Sequence, residues 1–208
     1  MYITYVIIAI TVAISLYAFK EQRILEMLIM NPYVTDKNRQ YHRFISSGFI
    51  HQDHMHLIFN MFSLFFFGRS LEMVFAMQFG EAGAWYFILL YLLGIIVSDI
   101  PTFLKHRNNP RYNSLGASGG VASVIFAFII FLPLEDIYLY AALPVPGFIL
   151  GTLYIIFSWY QGKKSNDSIN HDAHLYGAIF GVLFCNIIYP PSMVNFFDQI
   201  KDWTLSKF

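Results

Sequence analysis

Residues 115–134 read LGASGGVASVIFAFIIFLPL. The stretch is uncharged and meets the bilayer's requirement of about 20 mostly apolar residues for a spanning helix. It opens on glycines set around one serine. A lone hydroxyl in a membrane helix usually bonds back to its own helix, but the neighbours of Ser118 are unusual. Gly116 permits a backbone angle that other residues avoid. Gly119 and Gly120 remove side chains beside Ser118, so another helix or a substrate backbone can come close. Each glycine costs about 1 kcal/mol of helix propensity relative to Ala. A purely structural helix start has little reason to accept two.

Outward from this stretch the chain is apolar throughout. Of 208 residues, 57% are hydrophobic and only 12% charged, against about 25% charged in an ordinary soluble domain. Disorder is excluded, and a soluble domain is disfavoured. Thirteen basic and thirteen acidic residues leave no net charge, so no electrostatic footprint for nucleic acid exists. The single cysteine, Cys185, rules out an internal disulfide. Hydropathy predicts an all-α membrane protein with six spanning helices at about residues 2–19, 54–77, 82–104, 115–134, 145–160 and 173–189. Pro144 and Pro146 predict a turn before the fifth. Arg69 and Glu72, three apart, are expected to pair on the second. The whole chain, 1–208, reads as one membrane domain. Its first loop, about 34 residues, is longer than a structureless connector should be. Ile24, Leu25, Met27 and Leu28 predict that it dips into one leaflet. After Pro190–Pro191 an amphipathic tail carries Trp203 as an interface anchor.

Polar groups at membrane depth are costly, so function is sought there. His56 and Asn60 share a helix face at i and i+4, just after His51, Asp53 and His54. His174 opens the sixth span, with Gly177 and Gly181 on its face. That small-residue face predicts tight packing on the start of the fourth span, bringing Ser118 within reach of His174. A serine hydroxyl is a weak nucleophile until a base takes its proton, and neutral imidazole suits that task. Asp172 is two residues from His174 and points elsewhere on a helix. Acyl transfer also needs donors for an oxyanion. The His56 ring, the Asn60 amide and the Ser118 backbone N–H are the candidates. A zinc site built from His51, His54, His56, His171 and His174 with Asp53 and Asp172 is a weaker reading, because no His-Glu-x-x-His stretch exists. A transporter is disfavoured by the lack of a charged midplane pathway. No metal or cofactor is expected.

These residues resemble the rhomboid intramembrane serine proteases over nearly the whole chain. The resemblance rests on six helices, His51-(four)-His56-(three)-Asn60, Gly116-Ala117-Ser118-Gly119, and Ala173-His174-(two)-Gly177-(three)-Gly181, in that order. Gly68 and Glu72 also match. It implies a six-helix rhomboid-like bundle, with Ser118 as nucleophile, His174 as base, and His56 and Asn60 helping the Ser118 N–H hold the oxyanion. It implies single-span membrane proteins as substrates. It also implies a lateral gate between the second and fifth helices, a cap from the fifth loop, and a leaflet-embedded first loop. Possession of both Ser118 and His174 argues against a non-catalytic relative. The chain departs from the pattern at Ala122, where the family often has a ring bracing the histidine, and at His42-Arg43, where it has Trp-Arg. Tyr176 or a phenylalanine from elsewhere is the expected brace. The resemblance places the protein in a bacterial inner membrane with the site facing away from the cytoplasm. Loop charge points the other way, since the first, third and fifth loops hold most of the Lys and Arg.

Overall fold

A computed structural model describes residues 2–139, 142–164 and 169–207. Helix α1, Ile3–Lys20, is apolar on all sides. The stripe it buries is nonetheless small and partly polar: Thr4, Ile7, Thr11, Ser15 and Ala18. Small residues let helix backbones approach in lipid, where large apolar side chains gain nothing by facing inward. The opposite face leaves Ile10 and Leu16 exposed.

The first loop folds into α2 (Gln22–Leu28), α3 (Pro32–Asn38) and α4 (Arg43–Ser46). Arg43 organises it from a nearly buried position, 7% exposed. Its Nη1 donates to the carbonyls of Glu26 (2.8 Å) and Ile29 (2.6 Å), and its Nε to Gln40 Oε1 (2.7 Å). These bonds satisfy carbonyls left open at the end of α2. No residue of α2 is buried, as befits a helix lying beside the bundle.

The second long element joins α5 (His54–Ser63) to α6 (Arg69–Phe79) through a π turn at Leu64–Gly68. Asp53 caps α5, its Oδ1 accepting from His56 N at 2.8 Å. Arg69 and Glu72 do not pair, contrary to the i, i+3 expectation. Glu72 instead accepts from Ile3 N (2.7 Å), Thr4 N (2.9 Å) and Thr4 Oγ1 (2.5 Å). The open N–H groups of the α1 start attract a carboxylate more strongly than one exposed guanidinium does. Arg69 lies over the Tyr2 ring.

Helix α7 spans Ala82–His106, and α8 spans Ser118–Phe131. The fourth span, expected at 115–134, is therefore a 14-residue helix, about 21 Å long at about 1.5 Å per residue. It is central, with Val124 and Ala127 fully enclosed. A hairpin of β1 (Asp136–Leu139) and β2 (Leu143–Pro146) follows, pairing Asp136 with Pro146 and Ile137 with Val145. Pro144 and Pro146 thus sit in a two-stranded ribbon, which has edges on both sides. Then come α9 (Gly147–Lys164), α10 (His171–Ile188) and α11 (Pro191–Leu205). Helix α11 turns away from α10 by 110°, and its Trp203 packs edge-on against Phe148.

The six spanning helices expected from hydropathy are not all recovered among the described residues. Three are long and apolar enough to cross a membrane: Ile3–Lys20, His54–Phe79 and Ala82–His106. The bent pair His171–Ile188 and Pro191–Leu205 makes a fourth if taken as one span. Helix α8 is too short by itself, and α9 ends in Lys163 and Lys164. The structure is thus an all-α membrane-type bundle with one small hairpin.

Helix α10 approaches α8 glycine to backbone. A Cβ on Gly177 would land on the Gly119 carbonyl, and one on Gly181 on the Ser123 carbonyl. Gly181→Val should destabilise the fold by about 1–3 kcal/mol, the usual cost of overpacking. Thermal unfolding in detergent measures this, and an unchanged midpoint would contradict the contact.

Candidate active site

The site is built from the starts of α5, α8 and α10, which lie at one end of the bundle with the first and third loops. The segment leading into α8 is irregular, and its backbone groups are taken up one by one. Ser114 and Met30 exchange both backbone bonds, N–H to O at 3.1 and 2.9 Å, as an isolated bridge to the first loop. Gly116 N donates to Ser47 O at 2.9 Å. Ala117 N donates to His51 Nε2 at 3.3 Å. Because Nε2 accepts, the other ring nitrogen of the neutral His51 carries the proton. Its Nδ1 lies 3.0 Å from Ser15 Oγ, which donates in turn to Phe49 O at 3.0 Å.

Gly116 adopts φ +120°, a backbone that L side chains rarely take. The conformation brings it under the His56 ring, where a Cβ would come within 2.6 Å of Cε1 and 2.8 Å of Nε2. The His56 ring is therefore packed on Gly116, two residues before Ser118 along the chain. Asn60, buried one turn later on α5, donates from Nδ2 to the His56 carbonyl at 2.9 Å. The amide is thereby tied to the helix that presents it.

Ser118 is half-buried at the first turn of α8. Gly119 and Gly120 serve helix packing. A Cβ on Gly119 would strike Ser98 Oγ of α7, and one on Gly120 would meet Ile95 Cγ1 at 2.8 Å and Tyr91 O at 2.9 Å. From the other side Gly177 rests on Gly119 and Gly181 on Ser123, four residues on in both helices. Helices α8 and α10 therefore run parallel here. Ser123 Oγ clamps them, lying 2.9 Å from the carbonyls of both Gly119 and Gly177. Ser118 immediately precedes Gly119, and His174 stands one turn before Gly177. Both project from the same end of this contact.

Asn170 fixes the start of α10. Its Oδ1 accepts from Ala173 N and Thr102 Oγ1, both at 3.1 Å, and its Nδ2 donates to Ser114 Oγ at 3.0 Å. The residue ties α7, the third loop and α10 together. An Asn just before an apolar run is a capping signal, so this role was readable though not drawn from the sequence above. Asp172 points away to Lys105, 3.0 Å distant. Among the described residues the half-buried His174 ring stacks on Tyr154 of α9, with centroids 6.1 Å apart, where Tyr176 or a phenylalanine was expected. Nothing in the sequence singled Tyr154 out. Of the fifth loop expected to form a cap, about residues 161–172, residues 165–168 lie outside the described residues. Among the described residues no three His, Cys, Asp or Glu side chains are disposed to hold a metal.

Residues 38–191 match the family described as Rhomboid domain. The chain is 31% identical over 157 residues to RHOMBOID-like protein 12, mitochondrial, of Arabidopsis thaliana. It is 32% identical over 164 residues to Rhomboid protein 1, mitochondrial, of Saccharomyces cerevisiae, and 27% identical over 151 residues to Presenilin-associated rhomboid-like protein A, mitochondrial, of Danio rerio. These matches take in 68%, 76% and 67% of this chain but 45%, 44% and 36% of the relatives. The chain thus spans less than half the length of the relatives it matches. A bundle whose central short helix opens on Gly-Ala-Ser-Gly and packs glycine-to-backbone on its last long helix is a rhomboid-type bundle. The chain belongs to the rhomboid family.

His51 provides a solution test of the segment before Ser118. Burial first, and the neighbouring His56 second, push its pKa from 6.5 down to about 3, against the pull of Asp53. The folded protein therefore holds His51 neutral where the unfolded chain would bind a proton. Its contribution to stability is complete above pH 6.5 and is lost as pH falls from there towards about 3. Unfolding midpoints across that window should fall less steeply in His51→Gln than in wild type. Equal slopes would contradict the assignment.

Proposed function

We propose that the protein is an intramembrane serine endopeptidase. It hydrolyses peptide bonds in or near transmembrane segments of single-span membrane proteins with a Ser118–His174 dyad. The observation that carries this reading is the glycine contact between α10 and α8, which puts both residues at one end of one helix pair. In this reading the chain is a single membrane domain. Its short α8, and α9 and α10, complete the six crossings alongside the three long apolar elements. The end holding the site faces away from the cytoplasm of a bacterial cell. Loop charge opposes that orientation, but it biases insertion and does not determine the fold.

Ser118 Oγ attacks the scissile carbonyl while His174 takes its proton. The same proton then goes to the leaving amine, and water hydrolyses the acyl-enzyme. The Ser118 N–H, without an intrahelical acceptor at the helix start, faces the developing oxyanion. The His56 ring over Gly116 and the second hydrogen of the Asn60 amide supply the other donors. A transmembrane substrate hides its carbonyls in i→i−4 bonds, so it must unwind locally before attack. The glycine-lined start of α8 favours small residues beside the cut.

Purified protein should cleave a model single-span substrate in detergent, and Ser118→Ala and His174→Ala should each abolish cleavage while keeping the wild-type unfolding midpoint. Asn60→Ala should lower kcat by about 100–1,000-fold, as loss of one oxyanion donor does elsewhere. Intact turnover in Ser118→Ala would end the nucleophile assignment. Cleavage abolished by a chelator, with Ser118 unreactive to a serine-directed phosphonate, would favour a metal-dependent hydrolase.

A further inference from the structure

Glu21, in extended conformation, joins α1 to α2, and the chain folds back there. Ile14 lies six residues before Lys20, about 9 Å down α1 at about 1.5 Å per residue. Leu28 ends the α2 arm. Between these two positions is a cavity of about 380 Å³, walled by Ile14, Leu28, His42, Ile45, Ser46 and Phe49. Nearly all of its lining is carbon, because Ser46 Oγ turns aside to donate to Leu28 O at 2.9 Å. His42 stands in this wall at the position where the sequence departs from Trp-Arg. A bulkier indole there would narrow the space.

The surface around the cavity is that of a helix facing lipid. Leu16 and Tyr17 of α1, Met27 of α2, and Tyr41 and Ile45 of the first loop are all exposed. Above it, Lys20 and Arg23 flank the α1–α2 turn. Both are exposed, and neither makes an ion pair among the described residues. The headgroup layer is about 5–7 Å thick on each side of the hydrocarbon core. With the turn at the phosphate level, a cavity about 9 Å lower lies in hydrocarbon. Positive charge above a carbon-lined groove matches the polarity of a phospholipid, with phosphate outside and chain within.

We propose that this groove binds one phospholipid, its acyl chain lying between α1 and the first loop and its phosphate held at Lys20 and Arg23. A chain that enters from the surrounding bilayer gains no hydrophobic free energy, so the fit of the walls and the phosphate contact select the molecule. Phe49 connects the groove to the rest of the fold. Its carbonyl accepts from Ser15 Oγ at 3.0 Å, and that oxygen lies 3.0 Å from His51 Nδ1. A seated chain therefore packs against the bonds that hold the segment before Ser118. The proposal does not depend on the Ser118–His174 dyad.

The test uses the full chain in detergent, washed free of lipid, and a phosphatidylglycerol with a diazirine in one acyl chain. After illumination, mass spectrometry should place the label, saturably, on peptides holding residues 14, 28 and 42–49. Unlabelled phosphatidylglycerol should compete. Diacylglycerol with the same chains lacks the phosphate and should compete at least about tenfold more weakly. Inorganic phosphate lacks the chain and should not compete. Lys20→Gln combined with Arg23→Gln should weaken saturable labelling by a similar factor. Ile14→Trp fills the groove and should remove the label, and Ile45→Trp replaces it if that variant does not fold. Label spread over the exposed faces of α5, α7 and α10 in proportion to exposure would overturn the proposal. So would equal competition by diacylglycerol, or wild-type labelling in the Trp variant. Labelling that appears only on dilution to monomers would assign the groove to a second copy of the chain and overturn it too.

Discussion

Two helices touch here through backbone alone. Gly177 and Gly181 of α10 lie on the carbonyls of Gly119 and Ser123 in α8, and no side chain separates them. In lipid there is little hydrophobic gain from bringing helices together, so close van der Waals packing and interhelical bonds must suffice. Both are present, since Ser123 Oγ bonds carbonyls on each side of the contact. The first turns of the two helices carry Ser118 and His174. A larger side chain at either glycine would separate the helices and, with them, those two residues.

The shortness of α8 creates a second demand. Residues 107–117 must run inward without helical bonds, and irregular backbone at depth persists only where its polar groups are satisfied. The first loop satisfies them. Met30 bridges Ser114, Ser47 accepts from Gly116, His51 accepts from Ala117, and Asn31 Nδ2 donates to Pro110 O and Asn113 Oδ1. Arg43 in turn holds the first loop in shape through three bonds from a nearly buried position. The long connector between the first two crossings is therefore part of the scaffold of the site, although it supplies none of the proposed catalytic groups.

Spacing made part of this legible. His56 and Asn60 at i, i+4, and His174, Gly177 and Gly181 on one face, follow from helical periodicity, so the sequence was enough to single them out. The start of α8 was legible only in part: Gly116 marks a special backbone angle, but hydropathy sets the span at 115 because Leu115, Gly116 and Ala117 are as apolar as a helix. The +120° φ of Gly116, and the bonds that Gly116 and Ala117 make to Ser47 and His51, show that the helix has not begun. The Arg69–Glu72 pairing failed because the local rule considers one helix, whereas the donors that captured Glu72 belong to α1, 68 and 69 residues away in sequence. Tyr154 was invisible for the same reason: its contact with His174 depends on where α9 packs, and no periodicity in α9 encodes that. The π turn at Leu64–Gly68 likewise leaves no mark in a run of phenylalanines.

The proposed chemistry requires the Ser118 hydroxyl and the His174 imidazole to serve one reacting carbonyl. A peptide chloromethyl ketone addresses both at once. Ser118 Oγ adds to its ketone, and a histidine nitrogen displaces chloride from the adjacent methylene. Mass spectrometry of the treated protein should find His174 alkylated in wild type and unmodified in Ser118→Ala, because the hemiketal delivers the methylene to the ring. Alkylation of His174 at the same rate without Ser118, or alkylation of another histidine in its place, would contradict the account.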